Sequence, residues 1–294
     1  MVNGIINVYK EKGYTSFDVV AKLRGIFKQK KIGHTGTLDP DAEGVLPVCL
    51  GKATKVCDLL TDKSKEYETV LLLGKVTDTQ DITGTVLEEK DVKVTEEAVR
   101  ETVLSFVGDY MQIPPMYSAL KVNGKKLCDL AREGKTVERQ ARPVKILTID
   151  ILDVTLPRVR MRVHCSKGTY IRTLLEDIAA AMGQKGTMSA LRRTTAGVYT
   201  EADAHTLEEI QAAKDAGPEA LQALMLPVES VFESLPLLVA EPRVEQHLYN
   251  GCPTSRYPAA DGRYRVRNAA GQFLGLANIT GGVLRVEKLF VERN

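Results

Sequence analysis

Between Arg158 and Cys165 basic and apolar residues alternate at every position. Val159, Met161, Val163 and Cys165 form one row, and Arg158, Arg160, Arg162 and His164 form the other. Successive side chains of a strand point to opposite faces, so this period demands a strand with one buried and one polar face. Such a strand is not stable alone; it needs partner strands and a layer over its apolar row. Pro143–Val154, just upstream, reads as a second long strand, which predicts antiparallel pairing. The basic row is open to two readings, a solvated face or a phosphate-facing one.

Helices are interleaved with such strands irregularly. Gly4–Val8 and Glu66–Leu73 read as strands. Thr15 or Ser16 caps a helix whose Val19, Val20, Leu23, Ile26 and Phe27 fall on one stripe, and Ala53, Val56, Cys57 and Leu60 repeat that spacing. Thr95 caps a third helix, with Val99, Val103, Phe106 and Val107 inward and Gly108 ending it. Ile171–Met182 predicts a fourth, with Leu174, Leu175, Ile178 and Ala181 inward and Gly183 as the stop. Asn123-Gly124 signals a hairpin, because a type I′ turn needs two positive φ angles. The fold class is therefore α+β with long antiparallel strands, not a βαβ series. Near Leu235 the composition shifts to turns and short strands (Tyr264–Val266, Phe273–Ala277, Val283–Phe290). The expected division is a large domain over 1–234 and a small β-rich one over 235–294.

Net charge is only +2, so bulk charge does not announce a polyanion partner. Its distribution is uneven. Residues 116–145 carry eight basic side chains against three acidic ones, and residues 201–233 carry eight acidic ones against Lys214 alone. Lys22, Arg24, Lys28, Lys30 and Lys31 form another basic cluster. This separation fits either a face able to attract phosphates or an ordinary solvated surface. The five cysteines include no C-x-x-C, and the four histidines have no ligand spacing, so reduced thiols and no metal are expected. No apolar run is long enough to span a bilayer and Met1–Lys10 lacks a signal-peptide pattern, which points to the cytoplasm.

The most unusual stretch is Gly33-His34-Thr35-Gly36-Thr37-Leu38-Asp39-Pro40-Asp41-Ala42-Glu43-Gly44-Val45-Leu46-Pro47. Its glycines, prolines and carboxylates read as a shaped loop rather than a helix or strand. A nucleotide-binding P-loop fails, since the Gly44-to-Gly51 spacing is too long and Gly51-Lys52-Ala53 lacks the hydroxyl that would hold magnesium. A calcium loop begins plausibly at Asp39, Asp41 and Glu43 but places Leu50 where the bidentate glutamate belongs. A carboxylate that does chemistry and one that caps a turn are equally compatible with Asp39 at this point.

The same stretch resembles the signature loop of the TruB family of tRNA pseudouridine synthases. Gly13-Tyr14-Thr15-Ser16, Lys65-Glu66-Tyr67, Ser166-Lys167-Gly168-Thr169-Tyr170-Ile171-Arg172 and Leu191-Arg192-Arg193-Thr194 resemble four further elements of that family, in order and spacing. One departure is visible. The family often carries Lys-Pro-x-Gly near its start, whereas this chain has Lys10-Glu11-Lys12-Gly13, which frees φ at position 11.

The resemblance implies a pseudouridine synthase fold, with a mixed, largely antiparallel sheet and flanking helices, and a small β-rich C-terminal domain similar to RNA-binding PUA domains. It implies conversion of the T-loop uridine of tRNA, position 55, to pseudouridine, with the base flipped out of its stack. Asp39 would be the catalytic carboxylate, and Arg172 would pair with it. Tyr67 would stack on the uracil, Tyr170 and Leu191 would line its pocket, and His34 would lie near the flipped nucleotide as a binder. Lys121, Lys125 and Lys126 are expected in an arm that grips the tRNA T arm. Substrate and product are isomers, so no cofactor is expected; the chain is expected to act as a monomer. Whether Asp39 attacks the sugar or removes a proton from it stays open. A competing reading, an RNA-binding or tRNA-folding module whose catalysis is dispensable, needs only the basic surface. It leaves Asp39, Tyr67 and Arg172 unexplained.

Overall fold

A computed structural model describes residues 2–291. Its main sheet has nine strands. The path runs Gly4–Lys10, Glu43–Leu50, Gly186–Ala196, Lys65–Leu73, Arg158–Cys165, Arg142–Thr155 and Gly108–Gln112. Ile32–His34 lies along Glu43–Leu50, and Tyr199–Thr200 along Gly186–Ala196. Every pairing is antiparallel except one. Glu43 and Gly44 run parallel to Arg192 and Arg193, and this short seam joins the two halves of the sheet.

The alternating strand behaves as its pattern requires. Val159, Met161, Val163 and Cys165 are buried beneath the helix Ile171–Ala181, in one cluster with Leu71, Leu174, Leu175 and Ile178. The basic row is partly spent within the sheet. Arg162 stands opposite Glu68 and pairs with it at 2.8 Å, and Arg192 reaches the same carboxylate at 2.8 Å from the other side. Arg158 and Arg160 stay exposed.

The helix Ser16–Phe27 opens with a capping box between Thr15 and Asp18 and buries Val19, Val20, Leu23 and Phe27. The helix Glu96–Ser105 buries Val99 and Val103. Val107, expected inward, lies past its end and is exposed, because the chain has already turned toward the strand Gly108–Gln112. Ala181 is likewise exposed, and Ala179 takes the inward place one turn after Leu175. Ala53, Val56, Cys57 and Leu60 fall on a 3₁₀ turn, Gly51–Val56, followed by a short helix, Cys57–Thr61.

Gly33–Pro47 is not loop throughout. Ile32–His34 and Glu43–Leu50 are strands, and only 35–42 between them is irregular. The strand Glu43–Leu50 is buried along nearly its whole length, so it has no polar alternation to reveal it. Pro47 sits within it, contributing a carbonyl that accepts the Thr35 N–H at 3.1 Å.

A second sheet is formed by Leu237–Ala240, Gly262–Asn268, Phe273–Thr280 and Val283–Leu289, covered by the helix Pro242–Asn250. Phe273 and Phe290 stack at 5.6 Å and pack with Phe232 and Val56 of the first unit. Glu229, in the acidic stretch, takes Arg265 at 2.6 Å and Arg267 at 2.8 Å. These two pairs dock one unit on the other. No helix among the described residues is long and apolar enough to cross a membrane.

Candidate active site

The segment 35–42 is held from every side by groups distant in sequence. Leu38 donates its N–H to Ser16 Oγ at 2.9 Å, and the Gly13 N–H reaches the Pro40 carbonyl at 3.0 Å. Lys10, fully buried, points its ammonium at the carbonyls of Glu11 (3.1 Å), Pro40 (3.0 Å) and Ala42 (2.5 Å). Burial pushes the Lys10 ammonium down to about 8, and the nearby Asp39 and Asp41 carboxylates oppose the shift. Arg193, also buried, donates to Val45 O at 2.7 Å and Gly36 O at 3.2 Å. Gly44 has φ +105°, and a Cβ there would lie 2.2 Å from the Arg193 carbonyl, so the parallel seam admits only glycine. Thus Gly13 to Ser16, Lys10 and Arg193 form a cradle whose product is the placement of Asp39. With the Lys10 ammonium bound to Pro40 and Ala42, the segment is anchored without a proline at position 11.

Asp39 is paired with Arg172, Oδ2 to Nε at 3.0 Å and Oδ1 to Nη2 at 3.3 Å. The guanidinium is almost wholly buried. Its remaining donors go to the Thr79 carbonyl (2.8 Å) and the Tyr117 carbonyl (2.8 Å). Arg172 lies in the first turn of its helix, where the dipole disfavours a cation, so helix stability does not explain it. Asp81 stands 3.9 Å from Arg172 Nε, fixed by the Thr79 hydroxyl (2.9 Å) and by the Thr83 hydroxyl (2.6 Å) and N–H (3.0 Å). Desolvation raises the Asp39 carboxyl above the ordinary aspartate value; Arg172 opposes this and Asp81 adds to it. The result is an oriented carboxylate more basic than a free aspartate.

Asp39 and Leu191 open onto one cleft of about 210 Å³, with Asp41, Asp81, Ile82 and Met188 on its wall. Tyr67 lies beneath the wall, buried in the cluster that includes Leu38, Ala42 and Leu191, and stands opposite Arg193 in the sheet. Burial raises its phenol, and the Arg193 charge opposes the shift. Tyr170 is half-buried at the start of the Arg172 helix, where Gln112 clamps its backbone through bonds of 2.8 and 3.0 Å. His34 lies outside the cleft lining. Its Nδ1 accepts the Gly36 N–H at 3.3 Å, and burial and the Arg193 charge lower its pKa. Lys121, Lys125 and Lys126 are exposed on a two-stranded hairpin turned by Asn123 and Gly124. Lys121 and Lys126 face each other across it, a like-charge pair that an anion would relieve. The segment leading to this hairpin supplies the Tyr117 carbonyl to Arg172.

Four contributors were not singled out individually by sequence reasoning: Lys10, Ser16, Asp81 and Arg193. Ser16 and Arg193 lie inside motifs already distinguished, but nothing in the sequence marks which member turns inward. Asp81 carries a weak local signal, threonines two residues away on either side, as in side-chain-stabilised turns. Among the described residues no group of three or more His, Cys, Asp or Glu side chains could hold a metal ion, and all five cysteines are free thiols.

Residues 24–171 match the model for the TruB family pseudouridylate synthase N-terminal domain, and residues 172–233 match that for the tRNA pseudouridylate synthase B C-terminal domain. The chain belongs to the TruB family. It is 56% identical over 258 residues to a protein of Lachnoclostridium phytofermentans called tRNA pseudouridine synthase B, covering 85% of this chain and 83% of that one. A Clostridium perfringens protein of the same name is 42% identical, covering 99% of this chain and all of its own. Among solved structures, an H/ACA RNP bound to a substrate RNA containing 2′-deoxyuridine aligns with TM-score 0.74 at 26% identity, over 99% of this chain and 86% of that one. A Cbf5-Nop10-Gar1 complex aligns with TM-score 0.74 at 27% identity, over 99% of this chain and 85% of that one.

Proposed function

We propose that this protein isomerises a uridine of tRNA to pseudouridine, and that its target is the T-loop uridine at position 55. The observation that carries this reading is the Asp39–Arg172 pair, whose carboxylate lines a cleft. The reaction breaks the bond from N1 of uracil to C1′ of ribose, turns the ring, and joins C5 to C1′; the proton displaced from C5 is balanced by one gained at N1. Either role open to Asp39, attack on the sugar or removal of a sugar proton, requires the ionised carboxylate that Arg172 holds in place. No cofactor enters the balance.

The base must leave its stack first, at a cost of a few kcal/mol. Stacking on Tyr67 and contact with Tyr170, neither of which lines the cleft as it stands, add to apolar contact with Leu191 and to phosphate contacts at the hairpin of Lys121, Lys125 and Lys126 in offsetting that cost. His34 binds near the flipped nucleotide. Residues 1–234 form the catalytic domain, with an RNA-gripping insertion at about 116–145, and residues 235–294 a PUA-like domain. The protein works as a cytoplasmic monomer on the T arm.

The test is site-mapped pseudouridine formation on unmodified tRNA transcript by wild type and Asp39→Ala, with no cofactor added. Product at position 55 with wild type alone supports the reaction, the target and the residue together. Tight tRNA binding without product from wild type would move the protein to an RNA-binding role.

A further inference from the structure

The cleft has the wrong charge for its substrate. Asp39, Asp41 and Asp81 line it, whereas the ligand is a polyanion. Arg172 lies behind Asp39 and is consumed by it and by two carbonyls. Lys12 is the cationic side chain on the wall. It is exposed, and among the described residues no carboxylate lies within ion-pair distance of it. Its backbone is also fixed. Lys10 is buried and bound to three carbonyls, and the Gly13 N–H is bonded to Pro40. The residues around Lys12 are thus tied to the same segment that carries Asp39, so its position relative to that carboxylate is set by the fold.

Resting on the reading that the cleft receives a flipped uridine, we propose that Lys12 binds the backbone phosphate next to that nucleotide and sets the ribose in register over Asp39. Lys12 is a substrate-positioning residue; it takes no part in bond making. Asp41, on the same wall, opposes that phosphate, so neutralising the two residues has opposite effects.

The experiment compares Lys12→Gln, Lys12→Arg and Asp41→Asn with wild type, on full tRNA transcript and on an isolated hairpin carrying the target uridine. Lys12→Gln is expected to raise KM about tenfold with kcat within about twofold, since one charge-assisted contact is lost. The salt dependence of log(kcat/KM) should flatten by about 0.7–0.9, the value of one phosphate contact, equally on both RNAs. Lys12→Arg should restore the slope, and Asp41→Asn should lower KM. An unchanged KM and slope, a loss confined to kcat, or an effect that vanishes on the hairpin would overturn the assignment. Equilibrium RNA affinity of the same variants, measured without turnover, separates the two readings. If wild type makes no pseudouridine, the functional reading falls, while the salt slope of binding still decides Lys12.

Discussion

Replacing Lys10 by methionine separates the stability of this fold from its activity. Burial lowers the Lys10 ammonium from the ordinary lysine value of 10.5 to about 8. At ~1.36 kcal/mol per pH unit, the fold disfavours the charged form by a few kcal/mol relative to the neutral amine. Between pH 8 and 10.5 the unfolded chain still binds this proton and the folded chain has released it, so stability rises with pH across that window. Activity runs the other way. The neutral amine has two N–H donors for three carbonyls, and the hold on Pro40 and Ala42 loosens on either side of Asp41. Lys10→Met removes the desolvation cost along with the bonds, so its stability at pH 7 should stay within about 2 kcal/mol of wild type. Its kcat should fall roughly a hundredfold, as expected for a displacement of about an ångström at the reacting group. Urea melts at pH 7 and pH 10 and a pH profile of kcat check both halves. Wild type should gain stability and lose turnover above pH 8, and the variant should show neither slope from this group. A variant with wild-type kcat, or one keeping the same alkaline fall in turnover, refutes the reasoning. In the latter case Lys65, a second buried lysine lowered to about 8, becomes the group to test.

Four further outcomes are expected. Arg172→Ala leaves Asp39 and the carbonyls of Thr79 and Tyr117 without a partner; a loss of about 3 kcal/mol in denaturant melts is expected, the lower end for a broken buried pair because Asp39 is 37% exposed. Desolvation raises the Asp39 carboxyl, so the acidic limb of kcat/KM, where turnover is lost as pH falls and the carboxylate takes a proton, should have its midpoint above the free-aspartate value of about 3.9; a midpoint at or below it contradicts the geometry. Gly44→Ala, with its Cβ driven onto the Arg193 carbonyl at positive φ, should cost about 3 kcal/mol or more, and an unaltered melting temperature would show that the seam can spread. Changing Lys121, Lys125 and Lys126 together to glutamine should flatten the salt dependence of tRNA affinity by roughly 2 to 3, and an unchanged slope removes the hairpin from the RNA interface.

The sequence was most legible where a single period governs burial. The strand Arg158–Cys165 and the helices Ser16–Phe27 and Ile171–Ala181 follow directly from two-residue or 3.6-residue spacing. Glu43–Leu50 was hidden because it is buried on both faces and carries Pro47. Gly186–Ala196 was hidden because register shifts at Met188/Ala190 and Arg193/Thr195 break its alternation. The site divides in the same way. Asp39 and Arg172 stand out within recognisable motifs. Lys10 and Arg193 look like ordinary surface cations in the sequence, and only the tertiary structure turns them inward onto backbone carbonyls.

The cradle has an order in time. The bonds from Lys10 and Ser16 reach 32 residues or fewer along the chain, and they can form soon after this stretch leaves the ribosome. The bonds that finish the site span far more: 133 residues from Arg172 to Asp39, and 148 and 157 from Arg193 to Val45 and Gly36. Closing such loops is slow and waits for the distant segment to be made. A nascent chain that has already displayed its signature loop, its Tyr67 strand and its basic hairpin therefore has no organised carboxylate. The Asp39–Arg172 pair forms only once the helix Ile171–Ala181 has been synthesised, and Arg193 reaches Val45 and Gly36 only with the strand Gly186–Ala196.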